Sequence, residues 1–279
     1  MAEHYRPLLT DAARPATFEV EAYNERGEMT PTSIAGEHPL TLYLDKRELV
    51  TLMTLGHAPE ALAIGYLRNQ RLAARIEDIE AVQVDWETES VAVTTRQKTD
   101  IGKKIAKKTV TTGCGQGTVY GDLMEEIDSV KLRDDVALED TDLFALVEKV
   151  RRHETIYKQS GAVHGCALAT RSGEILMFVE DVGRHNAVDA IAGFMWLEGV
   201  DGSDKLFYTT GRLTSEMVIK CAQMRIPFLV SRSGLTKMGH DIAQRIGLTM
   251  IGRASGRHYL IFSGKHRLKL TAPQPTTLA

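Results

Sequence analysis

Three short apolar runs in the second half of the chain, at residues 206–209, 227–230 and 248–251, most limit what it can fold into. Runs this short, without polar alternation, suit strands buried on both faces of a sheet. Between them, residues 214–224 and 237–246 carry apolar side chains at helical spacing. Strands that alternate with helices need crossover connections, which predicts a three-layer α/β/α domain. Residues 163–170 and 175–179 extend the pattern as strands around the turn Arg171-Ser172-Gly173-Glu174. A helix follows over 186–196, with Val188, Ile191, Ala192 and Met195 on one face, and residues 259–262 add a last strand.

The first half reads differently. Residues 40–55 alternate branched and polar side chains around Asp45-Lys46-Arg47, which predicts a hairpin. Pro59 suits a first helical position, and good helix formers continue to about Arg71. Val82 with Val84, then Val91 with Val93, read as strands. The fold class is therefore α/β, with a small α+β domain over 19–110 and a second domain over 141–279. Residues 1–18, with Pro7 and Pro15, are expected as a flexible arm. Residues 111–140 are expected as a loop and linker, and a helix capped by Asp140 or Thr141 opens the second domain over 143–157.

With 279 residues, 34 Lys+Arg and 37 Asp+Glu, the net charge of -3 gives no global field for nucleic acid or an anionic membrane. Any anion site must be local. The first residues lack an apolar signal region and no stretch approaches the ~18 apolar residues of a membrane span, so a cytoplasmic location is expected. The three cysteines, Cys114, Cys166 and Cys221, are odd in number and form no C-x-x-C pair. A disulfide framework is not expected, a four-cysteine zinc site and a zinc-deaminase centre are excluded on that count, and no structural metal is expected.

Cys114 lies between Gly113 and Gly115, downstream of Lys103, Lys104, Lys107 and Lys108. Glycine flanks leave a sulfur accessible, and basic neighbours favour the nucleophilic thiolate; the alternative is a loop cysteine without function. Cys166 and Cys221 fall on apolar segments and read as core residues. Glu180-Asp181-Val182-Gly183-Arg184-His185-Asn186 stands between a strand end and a helix start, where Arg184 and His185 can hold phosphate and Asp181 can orient His185. The plain alternative is a helix cap with solvated charges. Residues 209–216 and 231–236 repeat the position, with Arg212 and Ser233, and Arg253-Ala254-Ser255-Gly256-Arg257-His258 adds another basic turn. Together these predict a pocket for a phosphate-rich, nucleotide-like ligand, although no Walker loop or G-x-G-x-x-G is present. A hydrolase built from Asp181 with His185, or from Cys114 with His164 or His185, has no specific support.

Thr-Gly-Cys-Gly at 112–115, Gly-Ala-Val-His at 161–164, Glu-Asp-Val-Gly-Arg-His-Asn-Ala-Val-Asp at 180–189, Thr-Gly-Arg-Leu-Thr-Ser-Glu-Met-Val at 210–218 and Ser-Arg-Ser-Gly-Leu-Thr at 231–236 are collinear motifs. Over roughly 35–265 the chain resembles the FdhD family of formate dehydrogenase accessory sulfurtransferases. The resemblance implies a cytidine-deaminase-like C-terminal domain. It implies a carrier that takes sulfane sulfur from a cysteine desulfurase as a persulfide on Cys114. The sulfur then passes to the molybdenum, or tungsten, bis(pterin guanine dinucleotide) cofactor before its insertion into the formate dehydrogenase catalytic subunit. It places cofactor contacts at Arg253, Ala254, Ser255, Gly256 and Arg257. Arg184, His185, Arg212 and Ser233 match family motif positions at strand ends, and we infer that they contact the same ligand, for which GDP is a mimic. A homodimer is expected by analogy. Many members carry C-x-x-C in the loop, and here Gly117 replaces the second cysteine. That departure keeps a second reading open, a chaperone that binds the cofactor without transferring sulfur.

Overall fold

The computed structural model describes residues 4–96, 109–110, 117–118, 127, 129–153 and 155–271. The N-terminal unit contains β1 (Leu8–Leu9), β2 (Thr17–Tyr23), β3 (Met29–Ala35), β4 (His38–Leu44), β5 (Arg47–Thr54), α1 (Pro59–Asn69), β6 (Ile79–Asp85) and β7 (Ser90–Thr95). Its five-stranded sheet has the order β1-β6-β7-β4-β5, while β2 and β3 form a separate hairpin. The β4–β5 turn is where it was expected, with Asp45 and Lys46 both at positive φ, 46° and 72°. Two such residues match the strand twist in a two-residue hairpin. The Asp45 carboxylate also accepts the Thr95 amide at 2.9 Å and hydroxyl at 2.6 Å, tying the turn to β7.

Two-residue strands β8 (Thr109–Val110) and β9 (Gly117–Thr118) pair antiparallel. Cys114 and the basic run at 103–108 lie outside the described residues. The second unit follows with β10 (Leu138–Glu139), α2 (Asp140–His153), α3 (Ile156–Ser160), β11 (His164–Ala169), β12 (Ile175–Asp181), α4 (Arg184–Leu197), β13 (Leu206–Thr209), α5 (Ser215–Gln223), β14 (Phe228–Ser231), α6 (Lys237–Arg245), β15 (Thr249–Ser255), β16 (His258–Ser263) and β17 (Leu268–Lys269). Its six-stranded sheet has the order β12-β11-β13-β14-β15-β16. The central strands β13, β14 and β15 are parallel, and β11 is antiparallel to β12 and β13.

Side chains alternate across this sheet as its pleat requires. Cys166, Leu168, Phe207, Leu229 and Met250 join the core formed with α4 and α5. Ala167, Leu206, Tyr208, Phe228 and Val230 join the core formed with Leu143, Leu146 and Val150 of α2. Helices therefore cover both faces, in a mixed α/β protein.

Some expectations are corrected. Residues 4–9 are packed rather than a loose arm: β1 pairs in parallel with β6, and the Tyr5 hydroxyl donates to Ile79 O at 2.6 Å. Tyr5 and Leu9 have apolar core to cover, which a polar reading of the segment missed. The helix expected over 143–157 is two helices, α2 and α3. Asp140 sits inside α2, and its carboxylate accepts from the amide and hydroxyl of Thr271. Helix α4 begins two residues earlier than expected, which draws Arg184 and His185 into its first turn.

The two units meet where α1 crosses α4. A Cβ on Gly65 would lie 1.6 Å from Asp189 O, and one on Gly193 would lie 1.9 Å from Ala61 O. Backbone approaches backbone at both glycines, so the core runs unbroken from Leu42 and Val93 to Phe207 and Met250. In a free helix, Gly→Ala stabilises by roughly 0.5–1 kcal/mol. Here the overlap is with backbone and outweighs that gain. Gly193→Ala should lower stability by about 1–3 kcal/mol or more, read as a lower urea midpoint; an unchanged or raised midpoint contradicts the close crossing.

Candidate functional site

Because β11 runs opposite to its neighbours, β12, β13, β14 and β15 all point one way. Their C-terminal ends, and the N-termini of α4, α5 and α6, share one edge, the edge at which open α/β sheets collect ligands. The strand-end loops are laced together there. The Leu213 amide donates to Gly234 O at 3.0 Å, the Thr236 amide to Leu213 O at 3.1 Å, and the Arg253 amide to Ser233 O at 3.0 Å. The Ser231 hydroxyl donates to Gly211 O at 2.7 Å and the Ser233 hydroxyl to Thr210 O at 2.9 Å. These hydroxyls fix loop backbone. Ser233 thus holds the edge in shape through a bond to its neighbour.

The basic side chains divide by depth. Arg212, Arg253 and Arg257 are exposed, as is Arg232, whose guanidinium stands 5.0 Å over the Tyr157 ring. His164 is half-buried on the same edge, its Nδ1 3.4 Å from the Thr210 hydroxyl. Burial, then the charges of Arg184, Arg232 and Arg212, lower its pKa. The exposed arginines put positive side chains on this edge in a protein of net charge -3. The stretch over 253–257 belongs to the β15–β16 hairpin, where Ser255 pairs with His258. Ser255 and Gly256 are exposed, with Gly256 at φ 57°. Ala254 is buried with the α2-side core, so its side chain faces away from solvent.

Arg184 and His185 are buried, 6% and 2% exposed, and do not stand open to a ligand as expected. The Arg184 stem packs under Gly211, where a Cβ would lie 2.6 Å from its Cδ. Asp181 does not orient His185. Its carboxylate accepts from the Thr54 hydroxyl at 2.6 Å, the Leu55 amide at 3.2 Å, the Gly183 amide at 3.1 Å and Asn186 Nδ2 at 2.9 Å. The bonds from Thr54 and Leu55 turn it towards β5 and join the two units. Burial raises its pKa and those bonds oppose the rise. Glu180 accepts the amides of Thr155, Ile156 and Tyr157 at 2.9–3.0 Å.

Beneath the edge lies an ionic cluster that sequence reading missed. His185 Nε2 is 3.3 Å from Glu216 Oε2, and Lys220 Nζ is 2.8 Å from Asp189 Oδ2 and 3.7 Å from Glu216 Oε1. Asn69 of α1 donates to Asp189 Oδ1 at 2.7 Å. The available signal was spacing: His185 and Asp189 on α4, and Glu216 and Lys220 on α5, are each four apart and share a helix face. Burial, then the charges of Lys220 and Arg184, push the His185 pKa down to about 2. Cys166 and Cys221 are core residues, as expected, and burial raises both thiols, Cys166 to about 12. Among the described residues, no group of three or more His, Cys, Asp or Glu is arranged to hold a metal ion, and no helix is long and apolar enough to cross a membrane.

The strand-end edge, with its exposed arginines and hydrogen-bonded loops over a sealed ionic floor, belongs to a mixed α/β protein. Comparison with known proteins then gives the family. The model of the FdhD/NarQ family matches residues 35–269, and the chain belongs to that family. A sulfur carrier protein FdhD of Listeria monocytogenes is 30% identical over 240 residues, 85% of this chain and 92% of that protein. Proteins of the same name from Wolinella succinogenes, 30% identical over 85% of this chain and 82% of theirs, and Sulfurisphaera tokodaii, 29% identical over 88% and 95%, are also similar. A crystal structure described as that of a formate dehydrogenase accessory protein from Desulfotalea psychrophila superposes with a TM-score of 0.73. It shares 24% identity, over 91% of this chain and 100% of that one, and so speaks to the fold.

The His185 environment predicts a pH dependence. Between the unfolded pKa near 6.5 and the folded value of about 2, the unfolded chain binds a proton that the folded chain refuses. Stability is therefore full above pH 6.5 and falls as pH drops through that window, by roughly 1.4 kcal/mol per unit for this one group. His185→Gln should flatten the slope of unfolding free energy between pH 6 and pH 4 by about that amount. An unchanged slope contradicts a neutral, buried imidazole.

Proposed function

We propose that the chain is a sulfur carrier for formate dehydrogenase maturation, with Cys114 as the carrying thiol. Family membership over 35–269, a span that includes the Thr-Gly-Cys-Gly motif, carries this reading. The names of the relatives support it, and so does the chemistry of the other two cysteines. With burial raising their pKa, Cys166 and Cys221 have no thiolate to offer at neutral pH, which leaves Cys114 as the nucleophile.

The Cys114 thiolate attacks the outer sulfur of a persulfide on the donor, a cysteine desulfurase. The donor S–S bond breaks, its cysteine leaves as a thiolate, and Cys114 holds the sulfur as a persulfide. Delivery breaks the new S–S bond: the sulfur moves at the formal zero-valent level to the molybdenum or tungsten bis(pterin guanine dinucleotide) substrate, and the Cys114 thiolate returns unchanged. No second thiol is needed, consistent with Gly117 in the second cysteine position.

In this reading the exposed Arg212, Arg253 and Arg257, with Ser255 and Gly256, receive the phosphates of the guanine-dinucleotide end. Arg184 and His185 act from below, by charge and by shaping the floor, and Ser233 by holding the loops. The strand order, with β11 and β16 antiparallel to the other four strands, supports a cytidine-deaminase-like relationship for the second unit.

Replacement of the thiol separates transfer from binding. Cys114→Ala should abolish activation of formate dehydrogenase in cells lacking the wild-type protein, while the purified variant binds GDP with unchanged affinity. Full activation by Cys114→Ala with GDP binding intact would establish a cofactor-holding chaperone and end the sulfur-carrier reading.

A further inference from the structure

Tyr157 is an aromatic residue of the strand-end edge that the sulfur-carrier reading leaves without a task. It belongs to α3, a helix of five residues, and is 38% exposed. Its ring joins neither apolar core. The backbone beneath the ring is nevertheless held firmly. Glu180, 3% exposed near the end of β12, accepts the amides of Thr155, Ile156 and Tyr157 at 2.9–3.0 Å and the Thr155 hydroxyl at 3.1 Å. Bonds to a carboxylate are stronger than neutral ones, so this buried side chain pins the start of α3 to the sheet and fixes the point from which the ring projects.

A second group meets the ring from the next loop. Arg232, which follows β14 and is exposed, places its guanidinium 5.0 Å from the centre of the Tyr157 ring. That is within cation–π range, and a planar guanidinium stacks on aromatic faces. Arg232 also precedes Ser233, whose carbonyl accepts the Arg253 amide at 3.0 Å. The loop that carries the stacked pair therefore lies directly against the loop that carries Arg253. Phosphates on Arg253 and Arg257 leave the uncharged end of a nucleotide in need of a flat surface nearby, and the Tyr157–Arg232 pair is one. Every nucleobase has a π-face that such a surface can hold.

We propose that Tyr157 and Arg232 form the platform on which the guanine base of the cofactor stacks. The inference deepens the cofactor-binding part of the proposed function and rests on it. Arg212, Arg253 and Arg257 receive phosphates in that reading, and the platform receives the base.

The test is calorimetric titration of the full chain with GDP and with inorganic pyrophosphate, for the wild type, Tyr157→Phe and Tyr157→Ala. Tyr157 is exposed and outside both cores, so both variants should fold, with melting temperatures close to that of the wild type. Tyr157→Ala should bind GDP about tenfold more weakly, and Tyr157→Phe, which keeps the ring, should bind it like the wild type. Pyrophosphate, which has no base, should bind all three alike. Unchanged GDP affinity in Tyr157→Ala, an equal loss in Tyr157→Phe, or an equal loss for pyrophosphate each overturns the platform and leaves the phosphate site standing. A wild-type chain that binds neither compound overturns the phosphate site, and the platform with it. Failure of Cys114 as the carrying thiol changes none of these titrations, so the two failures are distinguishable.

Discussion

The ion pair between Asp189 and Lys220 sits where α1, α4 and α5 meet. Asp189 lies on α4 at the level where Gly65 lets α1 touch the backbone, Asn69 of α1 donates to its carboxylate, and Lys220 reaches it from α5. All of this is sealed from water. A buried pair adds little net stability, because desolvation offsets its attraction, yet removing one partner costs about 3–5 kcal/mol by stranding the other. The pair therefore ties α1, α4 and α5 together beneath the strand-end edge.

The edge inherits its rigidity from below. His185, held neutral by burial, faces Glu216, and Glu216 lies near Lys220, so the first turns of α4 and α5 are joined beneath the loops they cap. Above them, the hydroxyls of Ser231 and Ser233 bond to loop carbonyls, and the exposed arginines project from a backbone that is already fixed. In the proposed function, this edge holds the cofactor and the Cys114 thiol does the chemistry.

Much of the fold was legible because its signals are local. Pro59 starts α1, the Asp45-Lys46 turn closes β4–β5, and the unalternating runs at 206–209 and 227–230 mark the central strands β13 and β14. The site was legible as a list of loops, since strand ends with hydroxyls, glycines and arginines recur in order. Depth was not legible. Arg184 and Arg212 look alike in sequence, but Gly211 admits the stem of one beneath it and leaves the other outside. Asp181 read as a partner for His185, and only the neighbouring unit, through Thr54 and Leu55, shows where its carboxylate goes. Long-range partners such as Asn69 with Asp189 leave no periodic trace.

The central claim is that one thiol carries the sulfur. Intact-protein mass spectrometry after incubation with an active cysteine desulfurase and cysteine tests it most directly, with wild type and Cys114→Ala compared side by side. The account predicts a gain of about 32 Da, one sulfur atom, on the wild type and none on the variant. A gain that persists without Cys114, or no gain on the wild type with an active donor, would contradict it.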